Sequence, residues 1–343
     1  MDKRLILAVA GSGKTSLIID RLNEKERFLV ITYTINNYEN LKSRVIEKFG
    51  YLPKNIRLYS YFSFLNSFCY KPLLSDIVGA KGINWNIPPT FTLRLKRDNP
   101  DFYIDGNKYL YHNRIAKLLE MTDSLPEVRS RLEKYFDIML VDEVQDFGGH
   151  DLSFLCSMAD TKINQLLVGD FYQHTFDTSK DGNVNSTAYE DYDKYTSKLA
   201  KAGFTIDSDT LNHSYRCSPI VCQFIQETLN IEISSHRSDE TGIEFVECKN
   251  RAEVLFNNNS IVKLFYQNQH RFPCYSENWG KSKGQDHYHD VCVVLNPTSL
   301  KLFQENKLSN MKPQTKSKLY VACTRARGNL YFVPEAFLSR FKN

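Results

Sequence analysis

Short apolar runs, each bounded by polar or turn residues, recur through the first 170 residues. This pattern is typical of buried parallel strands. The runs span Leu5–Val9, Phe28–Thr32, Ile56–Tyr59, Ile138–Val141 and Leu166–Val168. Between the second and third runs, apolar residues from Tyr38 to Phe49 recur at helical spacing, and Gly50 supplies a C-terminal stop. The alternation predicts an α/β fold with a doubly wound parallel sheet.

A second alternation begins near residue 210. It predicts helices over 219–229, 252–267 and 319–324, and strands over 243–246, 291–295 and 330–333. Two stretches interrupt the rhythm: residues 67–135 are rich in proline and aromatic residues, and residues 178–208 are polar and turn-rich. We therefore expect two domains, 1–208 with an inserted accessory segment at 67–135, and 209–343.

Composition and charge favour a folded protein without a membrane-spanning segment. The 343 residues are 42% hydrophobic and 24% charged, with a net charge of +4. No apolar run approaches the roughly 18 residues that span a bilayer, so we expect no membrane partner and a cytoplasmic location. Eight cysteines without a Cys-x-x-Cys pair indicate reduced thiols, and His287-x-His289 is most simply a polar loop. Residues 301–343 are basic, which either a nucleic-acid contact or a solvated surface explains.

A glycine-rich loop, Ala8-Val9-Ala10-Gly11-Ser12-Gly13-Lys14-Thr15, follows the first predicted strand and opens a helix. The backbone N–H groups of such a loop cradle phosphates, a lysine at this position reaches the β- and γ-phosphates, and a threonine hydroxyl holds Mg²⁺. The strict pattern has glycine where Ala8 stands. A plain glycine turn is the alternative, but the strand–loop–helix context favours a nucleotide site for ATP and Mg²⁺.

Two carboxylates, Asp142 and Glu143, end the predicted strand at 138–141. A P-loop ATPase needs one acid near Mg²⁺ and another that orients and deprotonates the attacking water. Asp142 suits the first role, with Thr15 as the other metal-site residue, and Glu143 suits the second.

From here the chain resembles superfamily 1 DNA helicases of the UvrD/Rep/PcrA type, in a compact form. Asp142-Glu143-Val144-Gln145-Asp146 is similar to motif II of that family, and further segments follow in the family order. They are Thr32–Asn36 (motif Ia), Ser60–Phe64, Val168–Gln173 (motif III), Leu211–Arg216 (motif IV), Lys281–Asp286 (motif V) and Tyr320–Arg327 (motif VI). The resemblance implies two RecA-like domains that together hydrolyse ATP while tracking single-stranded DNA in the 3′→5′ direction.

The resemblance also implies roles for individual residues. Catalysis would use Lys14, Asp142, Glu143, Gln173, Arg216 and Arg325, the last as an arginine finger. Nucleotide contacts would come from Ala10, Gly11, Ser12, Gly13, Lys14, Thr15, Ser16, Tyr215, Gly284 and Asp286, with Tyr215 stacking on adenine. DNA contacts would come from Tyr33, Thr34, Phe64 and Phe176, because single strands bind through aromatic faces and backbone cations. The expected partner is single-stranded DNA or a single/double-strand junction.

The chain departs from the family pattern in several places. Only seven residues precede Ala8, so the usual adenine-reading glutamine motif is missing from this sequence. Thr178 replaces the tryptophan of motif III, and Gly280 replaces the histidine of motif V. Only 65 residues lie between Arg216 and Ser282, where the family inserts a large subdomain.

Two other functions stay open. The short core, Thr178 and Gly280 also fit a nucleotide-dependent regulatory subunit with little unwinding, bound to a nuclease partner. A narrower resemblance supports this: Trp279–Gly284 with Asn296–Thr298 is similar to UvrD-like helicases encoded beside nucleases in Gabija-type antiviral defence systems. A generic P-loop kinase or GTPase is disfavoured by the spacing of Gln173, Arg216 and Arg325 and by the absence of a GTP-reading Asn-Lys-x-Asp.

Overall fold

The computed structural model describes residues 1–175, 184–185 and 187–343. The chain divides into two compact units, each assembled from separate segments. Unit 1 comprises residues 1–6, 14–169 and the described part of 177–207. Unit 2 comprises residues 7–13, the described part of 170–176 and residues 208–343. Both are α/β units, which confirms the predicted fold class.

A six-stranded sheet forms the centre of unit 1. The strands of the unit are β1 (Lys3–Leu7), β2 (Phe28–Thr32), β3 (Ile56–Ser60), β4 (Gly82–Asn84), β5 (Tyr109–Tyr111), β6 (Ile138–Asp142), β7 (Asn164–Gly169) and β8 (Thr205–Asp207). The order in the main sheet is β3-β2-β6-β7-β1-β8, and the pairs β2–β3, β2–β6, β6–β7 and β1–β8 are parallel. Residues 28–32 and 138–142 are buried throughout, as their continuous apolar runs predict.

The helices of unit 1 alternate with these strands. They are α1 (Lys14–Arg21), α2 (Ile35–Phe49), α3 (Tyr61–Ser63), α4 (Lys71–Val78), α5 (Ile115–Met121), α6 (Leu125–Tyr135), α7 (Gly149–Met158) and α8 (Tyr192–Lys201). Both ends of helix α2 are encoded by capping residues in the sequence. The Thr34 hydroxyl accepts a hydrogen bond from the Asn37 N–H at 3.2 Å, and Gly50 takes the left-handed conformation, with φ of 79°, that closes the helix.

The first strand ends two residues earlier than predicted. After Leu7 the chain leaves the sheet, and the Val9 N–H donates to the Leu211 carbonyl at 2.9 Å. The Ser12 hydroxyl donates to the Val9 carbonyl at 2.8 Å, so Val9 belongs to the loop. The apolar run therefore serves two purposes, a strand and the buried start of a turn.

The segment predicted as an insertion, residues 67–135, folds within unit 1. A π-helical turn at Phe64–Tyr70 leads into α4, and β4 and β5 pair as a separate two-stranded parallel sheet. Arg114 lies fully buried there, with its guanidinium 3.8 Å from the centre of the Phe102 ring. This cation–π contact stabilises a charge that would otherwise be costly to bury.

The polar, turn-rich stretch 178–208, expected as a connection to the second domain, contains regular structure in its second half. Helix α8 buries Tyr195 and Leu199 completely, and β8 then pairs with β1 in the main sheet. The four-residue spacing of these two side chains is the helical signal that the polar composition concealed.

Unit 2 is built around a second sheet. Its strands are β9 (His213–Ser214), β10 (Ser234–Ser235), β11 (Ile243–Phe245), β12 (Val262–Phe265), β13 (Ser276–Asn278), β14 (Val291–Leu295) and β15 (Leu330–Pro334). The five-stranded order is β11-β15-β14-β12-β13, and its pairs are parallel, whereas β9 and β10 form a separate parallel pair. The helices are α9 (Pro219–Leu229), α10 (Lys249–Asn257), α11 (Pro297–Gln304) and α12 (Pro313–Cys323).

The predicted helix over 252–267 is wrong beyond Asn257. There α10 ends, and the Asn258 side chain accepts hydrogen bonds from the backbone N–H and the hydroxyl of Ser260, which makes a turn. The chain re-enters the sheet as β12, where Lys263 is fully buried and donates from Nζ to the Asn258 carbonyl at 2.7 Å. Side-chain hydrogen bonding by asparagine competes with the helix more strongly than the apolar spacing suggests.

Short turns complete the described chain. The 3₁₀ turns are Thr90–Arg94, Pro100–Phe102, His112–Arg114, Val144–Asp146, Phe171–Gln173, Gln269–Arg271, Gly280–Ser282, Leu308–Asn310 and Glu335–Phe341. Over the described residues, no helix combines the length and apolarity needed to span a bilayer. All eight cysteines are free thiols, and the described residues contain no group of three or more potential metal-ligating side chains.

One buried acid in unit 1 makes stability depend on pH. Asp151, in the first turn of α7, is 6% exposed and accepts a hydrogen bond from the Tyr61 hydroxyl at 3.1 Å. Burial raises the pKa of Asp151 from its ordinary value of 3.8 to about 7. The folded state therefore holds this proton more tightly than the unfolded state, and its contribution to stability falls as pH rises from about 4 through 7.

We predict that Asp151→Asn removes this dependence while keeping an oxygen for Tyr61. Between pH 5 and pH 8 the melting temperature of the wild type should fall by roughly 2–4 °C more than that of the variant. Differential scanning fluorimetry measures this, with the exposed Asp76→Asn as the matched control. Parallel pH profiles for wild type and Asp151→Asn would contradict the assignment.

Candidate nucleotide and nucleic-acid site

In unit 2 the glycine-rich loop is held by the segment that carries the predicted motif IV. The Ser214 hydroxyl donates to the Ala10 carbonyl at 2.7 Å, and the Tyr215 N–H donates to the Gly11 carbonyl at 2.9 Å. Gly11 has a φ of 73°, and a β-carbon there would lie 2.6 Å from the Arg216 Cβ. Both the conformation and the close approach require glycine.

A tyrosine hydroxyl joins this loop to the segment of predicted motif III. The Ala10 N–H donates to the Tyr320 hydroxyl at 2.9 Å, and that hydroxyl donates to Asp170 Oδ2 at 3.0 Å. Tyr320 is fully buried, and burial, together with the Asp170 charge, raises its pKa well above the ordinary range. Asp170 also accepts the Tyr172 N–H at 3.1 Å, which starts the turn that places the buried Gln173.

In unit 1 the start of α1 lies beside the end of β6. Lys14 is the first residue of α1, and the Thr15 hydroxyl is 3.5 Å from Asp142 Oδ2. Asp142 is 2% exposed at the end of its strand. Ser16, which follows Thr15, accepts a hydrogen bond from the Arg44 guanidinium at 2.9 Å. A hydroxyl and a carboxylate at this separation are the oxygen ligands that Mg²⁺ prefers.

Glu143 occupies a strained backbone conformation. Its φ of 55° and ψ of 45° are left-handed, which is rare for a residue with a long side chain. The Gln145 amide donates to the Glu143 carboxylate, and the Glu143 N–H donates to Asp142 Oδ1 at 3.0 Å. Gly169 keeps this turn close to β7, because a β-carbon there would lie 2.3 Å from Gln145 Oε1. Asp142 therefore ends the buried strand β6, whereas Glu143 stands at the start of the turn that follows it.

Two predicted phosphate-binding arginines in unit 2 share one carboxylate. Arg216 Nη2 is 2.5 Å and Arg325 Nη1 is 3.1 Å from Asp286 Oδ1. The two arginines are 9% and 2% exposed, whereas the Asp286 side chain is 57% exposed. Arg216 Nε is buried without a hydrogen-bond partner among the described residues. Counting Asp286, the three side chains carry one net positive charge, and Arg216 keeps an unsatisfied donor, which suits an anionic ligand.

The remaining predicted nucleotide residues in unit 2 lie on the surface. Tyr215 is 63% exposed, and its ring stacks on His236 with centroids 4.0 Å apart. One aromatic face is thus supported from below by the histidine ring. Gly284 has a φ of 81° with open space around it, and it comes two residues before Asp286.

The predicted DNA contacts separate into three groups. Tyr33 and Thr34 lie at the end of β2 and line an aromatic cavity of unit 1. Phe64 is 1% exposed and packs against Phe68 and Phe154, so the structure places its ring in the core. Phe176 and the departure at Thr178 lie outside the described residues.

Gly280, in unit 2, lies against the Lys318 and Thr175 side chains, 3.4 and 3.5 Å from where its β-carbon would stand.

The structure also identifies residues to which the sequence assigned no role. Tyr320 stood inside a quoted motif without a function, and Trp85 lay in the inserted segment with no motif around it. Only a three-dimensional structure brings their partners together.

Each unit by itself carries groups that fit part of a magnesium–nucleoside triphosphate. The glycine-rich loop offers a cradle that a β-carbon would fill, Thr15 and Asp142 provide a hard-oxygen pair, and Arg216 retains an orphaned donor. Bound there, the metal would neutralise phosphate charge and favour attack on the γ-phosphate. In unit 2 the loop and the two arginines are groups that would hold phosphates, and in unit 1 Glu143 is a group that would orient water.

Taken together, the parallel sheets and the glycine-rich loop define an α/β protein with a P-loop and two RecA-like domains. A model of the family described as viral superfamily 1 RNA helicase core domain matches residues 112–334, about two thirds of the chain. The chain belongs to this family. The matched range includes the predicted motifs II to VI.

Solved structures share the fold. Over 99% of this chain, the complex of arterivirus nonstructural protein 10 (helicase) with DNA superposes with a TM-score of 0.51 and 15% sequence identity. The helicase of PRRSV also superposes over 99% of this chain, with a TM-score of 0.49 and 13% identity. The chain spans 63% and 54% of those two proteins, respectively. At these identities the likeness shows the fold alone. A comparison with curated proteins gives no match.

We predict that Gly11→Ala disrupts the loop. The added β-carbon would collide with Arg216 and would be strained at a positive φ, so affinity for a fluorescent ATP analogue should fall at least about tenfold. Gly50→Ala is the matched control, since φ is 79° there with open space around it. That control should lose about 1 kcal/mol of stability and bind nucleotide normally. Equal nucleotide affinities in the two variants would refute the packing argument.

Proposed function

We propose that this chain is an ATP-dependent translocase or helicase of the UvrD type that tracks single-stranded DNA in the 3′→5′ direction. The observation that carries the proposal is the pair of phosphate-directed constellations, Thr15 with Asp142 in unit 1 and Arg216 with Arg325 in unit 2. Membership of a superfamily 1 helicase family supports the same class.

In this proposal each unit contributes part of the chemistry of nucleotide hydrolysis. Lys14 and the loop N–H groups hold the phosphates, and Glu143 accepts the proton of the attacking water. Arg216 and Arg325 stabilise charge that develops on the γ-phosphate, and they leave Asp286 to do so. Gln173 senses the γ-phosphate, and hydrolysis then changes the grip on the strand.

The nucleic acid is proposed from two lines of support. The motif resemblance favours DNA, and the structural neighbour with the higher TM-score was solved with DNA. The family description names RNA helicases, so RNA is the competing substrate. Tyr33 and Thr34, at the carboxyl end of β2, are the proposed strand contacts.

A second candidate is a regulatory NTPase that works with a nuclease partner and unwinds little. The short span between Arg216 and Ser282 favours it, because a strand-separating subdomain is missing there. Strand displacement on substrates with opposite overhangs separates the two functions and also measures polarity. Efficient displacement from a 3′ overhang by the isolated chain supports the first function, and hydrolysis without displacement supports the second.

We predict that Glu143→Gln abolishes hydrolysis and leaves nucleotide binding intact. The amide keeps the size of the side chain and cannot accept the water proton, so kcat should fall at least about a hundredfold. Phosphate release and binding of a fluorescent ATP analogue measure the two effects. Glu47→Gln, an exposed position on α2, is the matched control. Undiminished hydrolysis by Glu143→Gln would remove Glu143 from the catalytic set.

A further inference from the structure

Unit 1 contains an aromatic cavity of about 880 Å³ at the carboxyl ends of β2 and β3. Its walls come from the ends of the two strands, from the inserted segment and from Asp151 on α7. Tyr33 and Phe62 follow the two strands, whereas Trp85 and His112 come from the inserted segment. The cavity volume far exceeds that of one nucleobase and leaves room for its sugar.

Trp85 presents a large aromatic face at this cavity. It is 61% exposed, although an indole ring normally gains by burial. Its ring centre is 4.4 Å from that of Phe62 and 5.3 Å from that of His112. These two ring contacts cover part of the indole and leave the rest of its surface accessible. Such a half-covered ring is a stacking platform.

The charges of the lining residues exclude phosphate as the ligand. Among the described residues that line the cavity there is no lysine or arginine, and the ionisable acids are Glu39 and Asp151. The Glu39 carboxylate repels phosphate, and a carboxyl oxygen of either acid can accept a hydrogen bond from an amino group. The ligand that matches is flat, apolar on its faces and carries an amino group at its edge.

Asp151 supplies the polar contact of the cavity. It is 6% exposed, its Oδ1 accepts the Tyr61 hydroxyl at 3.1 Å, and it lines the cavity beside Tyr61. Tyr61 in turn contacts Tyr33 at 5.8 Å and Phe147 at 4.6 Å between ring centres, so the acid is held in a rigid aromatic frame. A buried acceptor in such a frame discriminates strongly between ligands that donate to it and those that do not.

We propose that this cavity captures one unstacked nucleobase of a single strand, stacked on Trp85, and prefers bases with an exocyclic amino group. The proposal rests on the proposed function, since it names the part of the strand that unit 1 grips. Cytosine and adenine carry such an amino group, whereas thymine and uracil do not. The inserted segment thereby becomes part of the strand site.

Intrinsic fluorescence tests the stacking directly. The chain has two tryptophans, and Trp279 is fully buried, so quenching on addition of dT12 or dC12 reports on Trp85. Labelled-oligonucleotide anisotropy then gives affinities for the variants. Trp85→Ala should weaken binding of both oligonucleotides at least about fivefold, whereas Trp85→Phe should keep most of the affinity.

Phe91→Ala is the matched control, because Phe91 is 63% exposed on the same segment and does not line the cavity. It should bind like the wild type. The base preference is tested separately: wild type should bind dC12 more tightly than dT12 by about fivefold, and Asp151→Asn should bring this ratio towards one. Both oligonucleotides carry bases with a single pyrimidine ring, so they match in ring size.

The outcomes separate this inference from the proposed function. If wild type binds both oligonucleotides and they stimulate its ATPase, but Trp85→Ala binds them equally well, the cavity is not the base site and the proposed function stands. Equal affinity for dC12 and dT12 would overturn the amino-group preference. If wild type binds neither oligonucleotide, the inference and the proposed function both fall.

Discussion

The direction of the strands in unit 1 is the constraint on which its chemistry depends. Because β2, β3 and β6 are parallel, their carboxyl ends meet at one edge of the sheet. The residues that follow them are Tyr33, Tyr61 and Glu143. Stacking aromatics and candidate catalytic carboxylates are therefore neighbours along one edge. Under the proposed function, this shared edge is where nucleotide turnover would be coupled to movement of the nucleic acid.

Unit 2 depends on satisfying buried polar groups around the glycine-rich loop. The Tyr320 hydroxyl accepts a hydrogen bond from the Ala10 N–H and donates one to Asp170. A single hydroxyl therefore holds both the loop and the turn that places Gln173. Arg216 and Arg325 converge on Asp286, an exposed carboxylate that a phosphate could replace. Since a charged pair of arginines is costly to bury alone, the carboxylate holds the pair ready without a ligand.

Much of the fold was predictable because local signals agreed with tertiary packing. The runs at 28–32 and 138–142 are short, continuous and apolar, and Gly50 stops its helix as expected. Prediction failed where local side-chain bonding decided the outcome, as at Asn258, or where few apolar residues marked an element, as in α8. These errors changed element boundaries and left the fold class intact.

The candidate site was also predictable only in part. The glycine-rich loop and the Asp142–Glu143 pair are contiguous in sequence, so their chemistry could be read from residue order. Two contacts join distant segments that no local pattern encodes: the carboxylate shared by the two arginines and the tilted ring contact between Trp85 and Phe62. Phe64 shows the opposite case, because an aromatic at a motif position lies in the core.

The most direct measurement is the steady-state ATPase rate of the full chain with no nucleic acid, single-stranded DNA, duplex DNA and single-stranded RNA side by side. The account predicts slow basal hydrolysis and stimulation of at least about tenfold by single-stranded DNA, since translocation couples turnover to the strand. Duplex DNA should stimulate less. A rate that none of the nucleic acids changes would contradict the central claim.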